Sequence, residues 1–310
     1  MGYHPRIESN EVGWFVTTRT QGSRLWFVNN KGLEQSILSY AAKYTIRYEV
    51  KLYALAIEGN HVHGVMDFPH LNRANFMRDL NSSIARAVPR HVPKYGSGRL
   101  WGRRYSTEIL PDSEDIEEKF FYTVLQPVQD GLVKRISDYP GYNCFHDAIR
   151  GITRSFKVVN WGAYNKAKER DSSVQIRDFV ETVTLTYERL PGYEHLSQEE
   201  YEKMMLKKLE ERRVDIIKRR LAQGLGYICL EKLISQKPGA LPRHTKTSTK
   251  ETYRPRVLAV CPIRRAEWRA FYFEQLAHYR VASKSYRAGD HTVIFPSGMY
   301  PPYFRPPAGT

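Results

Sequence analysis

The chain has 310 residues, 41% of them hydrophobic and 13% aromatic, which is enough for one large domain or two ordinary ones with a true core. Its formal charge of +15 and pI near 9.6 exceed what solubility requires and point to a polyanionic partner, nucleic acid before an anionic membrane. No apolar stretch approaches the roughly 18 to 20 residues that span a bilayer, and residues 1–6 open without an apolar signal segment, so membrane insertion is not expected and a cytoplasmic location is. Cys144, Cys229 and Cys261 are odd in number and far apart; they fit neither a disulfide framework nor a zinc knuckle and are expected as reduced thiols.

Residues 14–18 read as a first strand, and 24–28 as a second short extended piece beyond the Gln21-Gly22 turn. Apolar positions then recur at three and four from Leu33 through Ile37, Tyr40 and Ala41 to Tyr44, the spacing of a buried helical face. A hairpin follows, 50–57 and 61–68, turning at Glu58-Gly59-Asn60. Asn72 is a candidate N-cap for a helix running to Val88, where Pro89 should stop it. After the glycine-rich connection 94–98, residues 105–110 read as a strand. Ser113 is then expected to cap a helix that carries Asp115 through Gln126 and ends at Pro127. Strands separated by helices, with a central hairpin, argue for an α+β fold in which helices cover an antiparallel sheet.

Beyond about residue 150 the character changes. Ser197-Gln198-Glu199-Glu200 is a capping box opening a long helix toward Gln223-Gly224, strongly basic in its C-terminal half. Residues 235–256 look like an extended basic linker, 264–286 a final helix, and the segment from Phe295 is too rich in proline for regular structure. The expected division is a first domain over 1–150 and a mainly helical, basic extension over 151–310.

His61-Val62-His63 stands at the start of the returning hairpin strand. Residues i and i+2 of a strand share a face, so both imidazoles can converge on one metal ion. With ten histidines in the chain, such a tripeptide gains meaning only from what else reaches it. Tyr122 and Gln126 lie four residues apart on a predicted helix, one above the other on the same face. Gln126 can complete a metal site with the two histidines, and Tyr122 can serve as a nucleophile toward a phosphate held by that metal. An N2O ligand set with open positions suits Mg2+ or Mn2+.

Three blocks in this order resemble the single-tyrosine HUH transposases of insertion sequences, and within them the REP-associated tyrosine transposases. They are Asn60-His61-Val62-His63-Gly64; Leu100-Trp101-Gly102-Arg103-Arg104-Tyr105; and Tyr122 with Gln126-Pro127-Val128 and Gly131-Leu132-Val133, followed by Asp138-Tyr139-Pro140. The resemblance covers roughly residues 10–150. It implies a ferredoxin- or RRM-like sheet, with Tyr122 attacking a single-stranded DNA phosphodiester to give a 5'-phosphotyrosine and a free 3'-OH. It further implies His61, His63 and Gln126 as ligands of a divalent metal that polarises the scissile phosphate, and a DNA hairpin as substrate. It leaves monomer and homodimer both open. The chain departs from the pattern at Gly59-Asn60, where Pro-Asp or a similar pair is usual, at Gly102, where glutamine is usual, and at Gln126, where REP-associated members have asparagine.

Arg103 and Arg104 are expected DNA-phosphate contacts, and Arg73, Arg78 and Arg86 are expected to line the same groove. In the linker, Lys237, Arg243, Lys246, Lys250, Arg254 and Arg256 are the further DNA candidates, with Tyr253 placed to stack on an unpaired base. Tyr105 is the rival nucleophile, although a strand tyrosine after two arginines is expected to pack or to stack on DNA. Glu58 and Asp67 read as turn and surface carboxylates with an option to assist the metal; His91, His146 and His244 lack a partner at ligand spacing. The basic helix after Ser197 also carries acids, so much of it reads as a solvated face. Two alternatives to a DNA strand transferase stay open: a domesticated DNA-binding protein acting in regulation or genome maintenance, and an RNA-binding module.

Overall fold

The structure, a computed structural model, describes residues 5–242 and 256–303. Strand β1 (Gly13–Arg19) leads to helix α1 (Lys31–Tyr48), the hairpin of β2 (Lys51–Glu58) and β3 (His61–Asp67), helix α2 (Arg73–His91) and strand β4 (Ser106–Leu110). This βαββαβ succession with strand order β2-β3-β1-β4 is the ferredoxin-like arrangement. All three of those pairings are antiparallel, as expected from the sequence. Alternation along β1 sorts the two faces. Trp14 stacks under Arg73 of α2, whereas Phe15 faces helix α3 (Ser113–Gln129) through the Tyr122 ring.

Four expectations for this half change in detail. The piece at 24–28 is not a strand; Leu25 makes only an isolated bridge to Ala240. Asn72 occupies the N-cap of α2 without a side-chain cap, its amide donating instead to the Tyr48 carbonyl. Pro89 sits within the last turn of α2, where Val92 N–H still reaches the Val88 carbonyl. Likewise α3 starts one residue earlier, with Asp112 as N-cap donating its N–H to Asp115 Oδ2, and runs through Pro127 to Gln129. A proline in a last turn removes one hydrogen bond there and leaves the preceding turns intact.

The remainder is less helical than its composition suggests. After helix α4 (Phe145–Arg150), β5 (Arg154–Val159), helix α5 (Trp161–Arg170) and β6 (Val180–Leu185) form a separate two-stranded antiparallel sheet packed on α1. Helix α6 (Gln198–Ala222) opens with the expected capping box and lies along α3. After the short α7 (Leu230–Ile234), strand β7 (Arg256–Val257) adds in parallel to the free edge of β4, making the main sheet mixed, and α8 (Pro262–Arg287) follows. One short strand of the extension thus joins the core sheet. The three cysteines are free, and no described helix is long and apolar enough to cross a membrane.

Candidate active site

Strand β3 is central, between β2 and β1, so its inward side chains are shielded on both flanks. His63 pairs across the sheet with Thr17 and Ala56, and His61 with Arg19 and Glu58. Small partners beside His63 leave room for its ring. Gly64 follows because a Cβ there would stand 2.7 Å from the Ala54 carbonyl oxygen. Both imidazoles are buried, at 5% and 2% exposure, with ring centroids 5.0 Å apart. They are not surface histidines on an edge strand.

Helix α3 supplies the other half. Phe120, Phe121, Val124, Leu125 and Val128 are buried and fix the helix on the sheet. Tyr122, flanked by them, keeps 38% exposure. Its ring packs edge-on against Phe15 at 5.8 Å and stands 6.5 Å from the His63 ring. One turn on, the Gln126 amide donates to His61 Nε2 at 2.8 Å. The predicted set of His61, His63, Tyr122 and Gln126 therefore meets at one place between β3 and α3.

The hydrogen bonds define the tautomer. His61 Nδ1–H donates to Asn60 Oδ1 at 2.8 Å, so the Nε2 lone pair points into the site, as a metal ligand requires. Burial, reinforced by Arg19, pushes the His61 imidazolium down to about 4. His63 is driven well below the ordinary histidine range by burial, with His61, Lys119 and Arg19 adding to it. Both rings are thus neutral at physiological pH, the ligating form. His63 Nε2 and Gln126 Oε1 are buried without a hydrogen-bond partner. Two nitrogen donors and an amide oxygen, two of the three with no protein partner, fit a divalent ion that retains water or phosphate ligands. Such an ion would supply Lewis-acid polarisation of a bound phosphate. Burial, then Asp130 and Glu108, raise the Tyr122 phenol above its ordinary value while Arg19 opposes them, so the resting side chain is a neutral phenol.

The other predicted residues divide. A cavity of about 770 Å³ lies beside α2 and the 99–105 loop, and Arg73, Arg78, Arg103 and Arg104 line it together with Arg6, Arg99 and Trp101. Arg73 forms its floor, not its surface: it is 1% exposed, lies 3.7 Å over the Trp14 ring, and has Nε and Nη1 without hydrogen-bond partners. Because Trp14 and Phe15 face opposite ways, this basic groove is on the other side of the sheet from Tyr122. Arg86 bonds Ser83 on α2 and is outside the groove lining, and Lys237 is exposed away from it. Arg256 is engaged with Glu108 at 3.0 Å. Arg243, Lys246, Lys250 and Arg254, with His244 and Tyr253, lie outside the described residues. Tyr105 is 9% exposed beneath the Arg6 guanidinium, which removes it as a nucleophile. Asp67 accepts from Tyr53, while Glu58 is buried beside His61 and raised by that burial to about 8. His91, without a partner at ligand spacing, bonds Ser36 Oγ at 2.8 Å.

Three neighbours of the site escaped the sequence reading. Phe15 is the ring on which His63 and Tyr122 both pack, and Arg19 bears on the charge of both. Lys119 holds its ammonium 4.3 Å from the Tyr122 ring centroid. Only Lys119 left a sequence signal, its position three residues before the tyrosine.

Residues 17–118 match the family model described as Transposase IS200 like. The chain is 25% identical over 124 residues to a Haemophilus influenzae protein named "Putative REP-associated tyrosine transposase", a match covering 37% of this chain and 68% of that protein. It is also similar to the solved structure of a REP-associated tyrosine transposase bound to a REP hairpin, at 20% identity and a TM-score of 0.40, over 47% of this chain and 84% of the other. The likeness to the IS200-like transposase family thus spans residues 17–118, from within β1 into the first half of α3.

Proposed function

We propose that this protein is a transposase that cleaves and rejoins single-stranded DNA through a 5'-phosphotyrosine on Tyr122, with a divalent metal, Mg2+ or Mn2+, held by His61, His63 and Gln126. The observation that carries the reading is the convergence of one half-exposed tyrosine with two buried, neutral imidazoles and an amide whose oxygen has no partner. Each polar atom buried without a partner lowers stability by roughly 1–3 kcal/mol, a cost that a bound ion at His63 Nε2 and Gln126 Oε1 would offset. The substrate is a DNA hairpin. The arginine groove behind the sheet supports this, since its charge tracks a phosphate backbone while Trp101 offers a stacking surface.

The test incubates the protein with Mn2+ or Mg2+ and a single-stranded oligonucleotide carrying an imperfect palindrome that flanks its own gene. A covalent adduct on a denaturing gel is expected from the wild type and not from Tyr122→Phe. Hairpin binding without any adduct would instead favour a protein that keeps the fold for binding alone.

A further inference from the structure

Lys119, three residues before Tyr122 on α3, holds a cation beside the Tyr122 ring. Its side chain is 19% exposed, and its ammonium lies 4.3 Å from the centroid of the Tyr122 ring and 4.9 Å from that of Phe15. Phe15 is also the ring against which His63 packs, at 5.6 Å. Lysine, nucleophile and one imidazole therefore surround a single aromatic side chain.

The ion pair that Lys119 makes does not account for this position. Its partner, Glu108 of β4, stands 3.6 Å away, beyond hydrogen-bonding distance, and the other oxygen of that carboxylate accepts from Arg256 at 3.0 Å. Withdrawing an ammonium from water is costly unless its donors are used, and besides the two rings its one charged partner among the described residues is this long, shared contact. The ammonium therefore keeps N–H donors for a further acceptor beside the Tyr122 ring.

We propose that Lys119 is a catalytic residue of the strand-transfer step, its ammonium donating to a non-bridging oxygen of the scissile phosphate as the Tyr122 oxygen attacks. This rests on the reading of Tyr122 as the nucleophile. In that step the Tyr122 oxygen forms a bond to phosphorus and its proton passes to solvent; the bond from phosphorus to the 3' oxygen breaks, and that oxygen leaves with the electron pair and takes a proton from water. Charge accumulates on the non-bridging oxygens on the way, and a preorganised cation shielded from bulk water stabilises it most there. Glu108, itself held by Arg256 of the C-terminal extension, keeps the ammonium from swinging out to solvent.

The experiment compares wild type, Lys119→Met and Lys119→Arg in single-turnover adduct formation with the same hairpin oligonucleotide and Mn2+, alongside hairpin Kd, Mn2+ affinity and thermal unfolding. The methionine variant should slow the chemical step by roughly a hundredfold, with hairpin Kd, Mn2+ affinity and Tm close to wild type, and the arginine variant should recover most of the rate. A methionine variant within threefold of the wild-type rate would overturn the proposal and leave Tyr122 as nucleophile. A rate loss accompanied by lost Mn2+ binding or a lowered Tm would assign Lys119 a structural role and also overturn it. No adduct with wild-type protein would remove both readings together.

Discussion

At the residue scale, His63 shows what folding alone would not select. A ring nitrogen buried without a partner lowers stability, yet His63 Nε2 is in that state at the centre of the sheet. His63→Leu fills similar space and removes the unpaired atom. It should therefore leave Tm unchanged or raise it while abolishing adduct formation, which thermal melts and the gel assay check side by side. A fall in Tm of more than a few degrees would mean that the ring is chiefly structural. This residue, with His61, Tyr122 and Gln126, was legible in the sequence because strand and helix periodicities are fixed at two and 3.6 residues. The surroundings were not. Phe15 and Glu108 come from other strands, and only tertiary pairing brings them to Lys119. Arg256 reads as a linker charge by position but serves as a partner of Glu108.

At the element scale, the groove behind α2 and the turn after α3 make separate claims. Arg103 is exposed on the groove wall. Arg103→Ala should weaken hairpin binding and reduce the slope of log K against log salt by about one, whereas Arg86→Ala and Lys237→Ala, outside the lining, should change the slope far less. Fluorescence anisotropy across a salt series measures all three. The turn at the end of α3 is set by Gly131, with φ +75° and Arg220 packed where a side chain would begin. Arg220 donates to the Gln129 and Gly226 carbonyls and so ties the end of the nucleophile helix to α6. Gly131→Ala should cost at least about 1 kcal/mol from the left-handed backbone alone, seen as a lowered denaturation midpoint. The hairpin of β5 and β6 was missed because its strands are separated by a helical insertion and face α1 on one side only, giving weak alternation. The capping box of α6 was readable because it is local.

At the scale of the whole molecule, the C-terminal extension is an integral part of the fold. β7 extends the main sheet, and α6 spends much of its charge on α3: Lys208 and Arg212 reach Glu117 at 2.8 and 3.3 Å, and Arg212 reaches Glu118 at 2.6 Å. Composition alone could not separate this from a solvated face. Burial acts to raise the Glu117 carboxyl, but Lys208, Tyr193 and Arg212 outweigh it and hold it below its ordinary 4.5. A depressed native value means that the stabilisation is present above pH 4.5 and lost as pH falls through the lowered value. Thermal melts from pH 7 to pH 3 should therefore show an acid decline that is shallower in Glu117→Gln, which starts from a lower Tm at pH 7. Parallel curves would show that this network does not couple α6 to the domain.

The central claim, that Tyr122 becomes covalently joined to DNA, is tested most directly by digesting the adduct and mapping it by mass spectrometry. The expected product is a nucleotide attached through its 5' phosphate to the peptide containing Tyr122, and to no other tyrosine. Attachment at a different residue, or intact hairpin bound without any covalent product in the presence of Mn2+, would contradict it.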